Sequence, residues 1–189
     1  LRVVRQLHYS LHNQLCIDLV LFLNGLPLAT IELKTDTTQN IEDAVRQYKY
    51  DRNPIDVATK QPEPLLSFGQ RALVHFAVST DEVRMATKLA GAATRFLPFN
   101  RGNPDGMGGA GEGNPPDDKL GYSTGYLWHE VFHPDAWLAV MGKFLSVAVS
   151  EHKDAKGKKV FNTSLLFPRY HQWDAMYKLL NATLAEGVG

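Results

Sequence analysis

Two apolar runs meeting at Asn24-Gly25 restrict this chain more than any other feature. Residues Ile17 to Lys34 read IDLVLFLNGLPLATIELK. Asn-Gly between apolar runs signals a β-hairpin, because both residues accept the positive φ that tight hairpin turns require. The first run carries one charge, Asp18, and the second ends in Glu32-Leu33-Lys34. Charges in such apolar surroundings are costly unless they pair or bind a metal. Side chains alternate along a strand, so Glu32 and Lys34 share one face and Leu33 takes the other.

Where Asp18 falls depends on register. A two-residue loop pairing Leu23 with Leu26 sets Ile17 opposite Glu32 and puts Asp18 on the far face. A three-residue loop, or a single bulge, changes the parity and sets Asp18 opposite Glu32. That second register is the expectation. It gathers two carboxylates and an ammonium at one spot. Two carboxylates can hold Mg²⁺ with several waters retained. The lysine can orient an attacking water or neutralise developing phosphate charge. The plainer alternative is a surface hairpin with a solvated charged end, since Glu-x-Lys alone is common. Asp18 inside the apolar run weighs against it.

Asp18 with Glu32-Leu33-Lys34 resembles the PD-(D/E)xK nuclease motif. The wording DLVLFLNGLPLATIELK resembles the N-terminal nuclease domain of the restriction (R) subunit of type I restriction endonucleases. The resemblance implies an α/β fold of the restriction-endonuclease-like kind, a mixed sheet flanked by helices. It implies Mg²⁺-dependent hydrolysis of DNA phosphodiester bonds, with Asp18, Glu32 and Lys34 catalytic and Asp18 and Glu32 holding the metal. Double-stranded DNA and the specificity and methylation subunits of a type I restriction-modification complex are the implied partners. ATP enters through a translocating motor in the full protein.

Composition narrows the alternatives. The 189 residues are 44% hydrophobic and 21% charged, which suits a globular chain with a sizeable core. The formal net charge is zero. A freestanding DNA binder usually shows a basic excess, so DNA affinity here should be local or borrowed from partners. A single cysteine, Cys16, excludes an internal disulfide and a four-cysteine zinc site, and is expected as a small core residue in a strand. No run reaches the length of a membrane span, and a cytoplasmic location is expected. The chain opens on Leu1 without methionine, so it is expected to be a piece of a longer protein, whose upstream residues could add to the acidic cluster.

Leu1 to Leu11 reads as a strand and turn, with His8 and His12 as surface histidines. Ile41 to Asp51 reads as a helix, capped by Thr38 or Asn40 and stopped at Asn53-Pro54. Ile41, Ala44, Val45 and Tyr48 recur at helical spacing and should face the sheet. Arg46, Lys49 and Arg52 then lie toward solvent, where they could contact DNA phosphates. In the related nucleases a Gln-x-x-x-Tyr motif follows the hairpin, and Gln47 matches its glutamine. Asp51 stands at the tyrosine position. Gln47, Arg46 and Lys49 are thus expected to bind DNA or support the site.

Ile55 to Gln70 should be a loop. Arg71 to Ser79 reads as a buried strand with His75 as a core histidine, Val83 to Leu89 as a second strand, and Phe96 to Phe99 as a short third. Asn100 to Gly121 is glycine- and proline-rich, a loop suited to a lid or a partner contact. Its run Gly106 to Gly111 lacks a following Gly-Lys-Ser/Thr, which rejects a phosphate-binding loop. Tyr126 to Val149 reads as helical, restarting at Pro134, with Trp137, Leu138, Val140, Met141, Phe144, Leu145 and Val149 as a buried stripe. Glu151 to Lys159 reads as a charged turn. Phe167 to Trp173 opens a helix and resembles the Q-motif region before the Walker A loop of the same subunits' motor. There Gln172 matches the adenine-reading glutamine. The expected division is a nuclease domain over 1–160, including loop 100–121, and the start of a RecA-like helicase motor over 161–189. A non-catalytic DNA-binding or assembly module with a decayed nuclease site is the alternative, and the intact Asp18, Glu32 and Lys34 argue against decay.

Overall fold

Strands β2 (Cys16–Leu23) and β3 (Leu26–Leu33) form the hairpin on which the remaining strands are laid. The computed structural model of the chain describes residues 1–35, 39–103, 111–117, 119 and 121–187. Leu23 pairs with Leu26 across a two-residue turn in which Asn24 and Gly25 have φ of 48° and 83°. Two positive φ values match the twist of the flanking strands, and Asn and Gly reach them at least cost. Phe22 then pairs with Pro27, but Leu21 pairs with Ala29, so Leu28 is an extra residue. The parity change comes from this bulge and not from a longer loop. From there Leu19 faces Ile31, and the next position sets Asp18 facing Glu32.

β1 (Arg2–His8) adds antiparallel to β2 as an edge. α1 (Ile41–Tyr50) crosses from β3 to β4 (Val74–Val78), which lies parallel to β3. β5 (Val83–Ala86) and the two-residue β6 (Leu97–Pro98) complete a mixed sheet of order β1-β2-β3-β4-β5-β6. Asn40 starts α1. Its side-chain oxygen accepts from the Glu42 and Asp43 amides, and Asp43 accepts in return from the Asn40 amide. This reciprocal cap satisfies donors that the first helical turn leaves open. Thr38, the other expected cap, lies outside the described residues.

Each sheet face buries its own core. On one, Ile41, Ala44, Val45 and Tyr48 of α1 pack over Val20, Ala77, Leu65 and Leu66. On the other, Leu21, Ile31, Val74, Phe76 and Val78 meet residues from the C-terminal half. That half contains α2 (Pro134–Ala139), π-helical turns before and after it, and α3 (Tyr170–Glu186). Phe167, Tyr170 and Trp173 belong to this second core, so the described C-terminal segment packs on the sheet. The described ends of loop 100–121 are tied down: Asn114 bonds the Arg101 amide and the Asp81 carbonyl, and Gly102 bonds Gly113. Residues 104–110, 118 and 120, which hold most of the glycine run, lie outside the described residues.

The helix expected through Val149 stops earlier. β7 (Ser146–Lys153) pairs with β8 (Lys159–Leu166) as a separate antiparallel ribbon. Leu138 and Val149 are 51% and 63% exposed and leave the expected stripe. Val147-Ala148-Val149 fits helical and strand spacing alike over so few residues, and β-branched residues prefer the ladder. The expected charged turn shrinks to the end of this ribbon, where Asp154 Oδ1 accepts from the Lys156 and Lys158 amides.

Candidate active site

Asp18 and Glu32 come together because the Leu28 bulge restores their parity. Each oxygen of Asp18 accepts one hydrogen bond: Oδ1 from Gln6 Nε2 and Oδ2 from the Leu33 amide, both at 2.9 Å. Glu32 lies deeper, fully buried on a central strand. Its Oε1 accepts from Arg52 Nε at 2.6 Å, while its Oε2 meets no hydrogen-bond donor among the described residues. Burial pushes the Glu32 carboxyl up to about 8; Arg52 pulls it down, and the Asp18 charge and the hydrogen bond that protonated Glu32 shares with Asp18 raise it further. Two facing carboxylates in an apolar wall thus leave one of them holding its proton near neutrality.

Arg52 corrects the sequence reading. Expected toward solvent, it is 5% exposed. It follows the end of α1, and its amide bonds the Gln47 carbonyl. The buried ridge Ile41, Val45, Tyr48 continues at helical spacing onto position 52, a signal visible in the sequence. A long stem lets the guanidinium reach Glu32 while its methylenes stay packed. Gln6 was also missed as a site residue, since nothing local distinguishes it within an edge strand. Cys16 is half-buried at the start of β2, and its Sγ donates to Gln6 Oε1 at 3.0 Å.

Lys34 follows β3, and its amide bonds the Val78 carbonyl at 2.8 Å, which continues the β3–β4 pairing by one residue. Alternation puts it on the Glu32 face, half-buried. Below Glu32 on that face, Thr30 Oγ1 bonds Tyr48 Oη at 2.8 Å and His75 Nδ1 at 2.7 Å. Burial lowers His75 to about 3, so its ring is neutral in this network. The expectation of a satisfied core histidine holds. Gln47 is half-buried and Arg46 exposed. Glu42, bonded to Arg84 on β5, marks the flank of α1 nearer β5. Lys49, two turns on, shares that flank, whereas Gln47 lies on the opposite one, nearer β2 and β3. At the other end of the chain, Gln172 Oε1 accepts from the Arg169 amide at 3.0 Å and caps α3. Among the described residues no group of three or more His, Cys, Asp or Glu side chains could hold a metal. None of the described helices is long and apolar enough to cross a membrane.

A six-stranded mixed sheet with flanking helices, carrying this pair of carboxylates on its α1 face, is compatible with a restriction-endonuclease-like fold. Residues 1–94 match the model of the family described as the type I restriction enzyme R protein N terminus. This part of the chain belongs to that family. The match covers the hairpin, α1, β4 and β5. No curated protein and no solved structure matches the chain.

Proposed function

We propose that the chain is the cleaving part of a type I restriction enzyme R subunit, hydrolysing DNA phosphodiester bonds with Mg²⁺ held by Asp18 and Glu32. The Leu28 bulge supports this reading most, because it sets Asp18 opposite Glu32 with Lys34 on their face. The donor set suits a hard cation. Among the described residues the buried Glu32 Oε2 meets no hydrogen-bond donor, and each Asp18 oxygen keeps acceptor capacity after the bond it takes from Gln6 or Leu33. Mg²⁺ would supply a Lewis acid to the scissile phosphate. Asp18 and Glu32 hold the cation as carboxylates, so Glu32 gives up its proton on binding. Lys34 positions the attacking water and faces the charge that develops on phosphate. Gln47 supports the site from the near flank of α1, and Arg46 and Lys49 contact DNA phosphates. In the longer protein, residues 161–189 begin the ATP-driven motor, with Gln172 reading adenine. The specificity subunit chooses the DNA site, and the methylation subunits complete the complex.

A decayed site in a DNA-binding or assembly module is the second reading. It draws on the Arg52–Glu32 pair, which neutralises the very carboxylate the metal needs. Lys34→Ala in the full-length protein, assembled with its partners, separates the two. Nicking of circular DNA should fall by about 10² to 10³, the usual loss for one transition-state charge stabiliser. DNA-stimulated ATP hydrolysis should persist, because Lys34 touches no nucleotide. Undiminished cutting by Lys34→Ala at saturating Mg²⁺ would reject the assignment. A wild-type enzyme that does not cut under those conditions would favour the decayed site.

A further inference from the structure

Gln6 sits in a backbone conformation that its side chain does not favour. Its φ is 49°, in the left-handed region, within an edge strand. For a residue other than Gly, Asn or Asp this conformation is sterically strained. Such strain persists only where the surroundings enforce it. The β1–β2 ladder sets Arg5 opposite Leu19 and Leu7 opposite Ile17, so Gln6 stands at the position facing Asp18. Both ends of its amide are engaged. Cys16 Sγ donates to Oε1, and Nε2 donates to Asp18 Oδ1. A carboxylate only accepts, so the amide must present its nitrogen to Asp18. With the Leu33 amide on Oδ2, Asp18 is held from two strands at once. One bond comes from β1 and the other from β3, which leaves the carboxylate little freedom to rotate.

We propose that Gln6 is a positioning residue: it orients the Asp18 carboxylate, from outside the metal site, for a divalent cation shared with Glu32. This rests on the reading of Asp18 as a metal ligand. Residues that orient a ligand by hydrogen bonding typically change metal affinity 10- to 100-fold when removed. Here the strained φ gives the idea a second signature. A residue kept only for the strand would be improved by a side chain at ease in the left-handed region. A residue kept for Asp18 would gain stability from the same change and lose metal.

The test measures Mn²⁺ binding by titration calorimetry and the melting temperature on the full chain, for wild type, Gln6→Gly, Gln6→Asn and Asp18→Asn. Glycine relieves the backbone and removes the amide. Asparagine also tolerates positive φ and keeps the amide, but is one methylene too short to span to Asp18. Both Gln6 variants should bind Mn²⁺ at least about tenfold more weakly, with melting temperatures unchanged or raised. Asp18→Asn should remove binding. Gln6 variants within twofold of wild type, while Asp18→Asn still loses binding, would overturn the Gln6 role alone. A melting temperature that falls together with affinity would make Gln6 a structural strut and overturn it as well. Mn²⁺ binding that ignores Asp18→Asn, or is missing in wild type, would remove the metal reading and Gln6's role with it.

Discussion

Both faces of the central sheet bury an apolar core, and they differ in what is set into it. Toward α1 the sheet hides Glu32, Thr30 and His75, with Tyr48 and Arg52 laid over them. Toward α2 and α3 it hides aromatic rings. Phe76 there meets Phe99, Phe132 and Phe167 edge-on at centroid distances of 5.4, 5.6 and 6.1 Å. Apolar burial is non-directional and adds up with area, so the aromatic face can carry most of the stability without exact geometry. Buried polar groups stabilise only when their partners are in place, and cost when they are not. The α1 face therefore gives up stability in exchange for groups with shifted proton affinity, and the aromatic face makes that tolerable.

Breaking the aromatic face should cost most. Phe76→Ala removes the ring at the centre of three edge contacts and is expected to lose about 3 to 5 kcal/mol in a denaturant titration. A loss below about 1 kcal/mol would mean that this face is not the main support.

On the polar face, Arg52→Met strips Glu32 of its cation but keeps the apolar stem. Breaking a buried pair by removing one partner usually costs about 3 to 5 kcal/mol. Glu32 can escape part of that by staying protonated, so a loss of about 2 kcal/mol is expected at pH 6. It should grow above pH 8, where wild-type Glu32 ionises against Arg52 and the variant, without that cation, keeps its proton to higher pH. A loss that does not change with pH would show that Glu32 stays ionised throughout.

The pH profile gives the two buried titrating groups opposite signs. Glu32 is raised from 4.5 to about 8. The folded state thus holds a proton that the unfolded chain releases, and this contribution is lost as pH rises through that window. His75 is lowered from 6.5 to about 3. The unfolded chain binds a proton that the fold refuses, so stability is lost as pH falls through that window. Glu32→Gln should flatten the decline between pH 6.5 and 8. His75→Asn should flatten the decline on the acid side. Stability profiles parallel to wild type in both variants would contradict the assignment of these groups to the slopes.

The smallest effect belongs to neither core. Asn40→Ala removes the cap of α1 and should cost about 1 kcal/mol. Because α1 covers only the polar face, the loss should appear first as faster amide exchange in α1, with the strands β4 and β5 unchanged. Equal acceleration in β4 would show that the two faces open as one unit.

What the sequence determined by itself is local. Asn24-Gly25 specified the turn, alternation put Glu32 and Lys34 on one face, and Ile41, Ala44, Val45 and Tyr48 defined the buried face of α1, with its cap narrowed to Thr38 or Asn40. Each depends on residues within a few positions of one another, so the pattern contains its own cause. His75 was legible as a core residue because apolar residues surround it in the chain. The tertiary structure decided the rest. The choice between bulge and longer loop depended on how β3 lies between β2 and β4, and the extra residue fell at Leu28. Helical spacing put Arg52 on the buried ridge of α1, but its partner there, a carboxylate 20 residues earlier in the chain, came only with the fold. Gln6 gained its partner through strand pairing across 12 residues. Ser146 to Val149 became strand because Leu166 to Thr163 lie alongside. In each of these cases the deciding partner is distant in sequence, and short-range periodicity cannot encode which distant group the fold will bring within bonding distance.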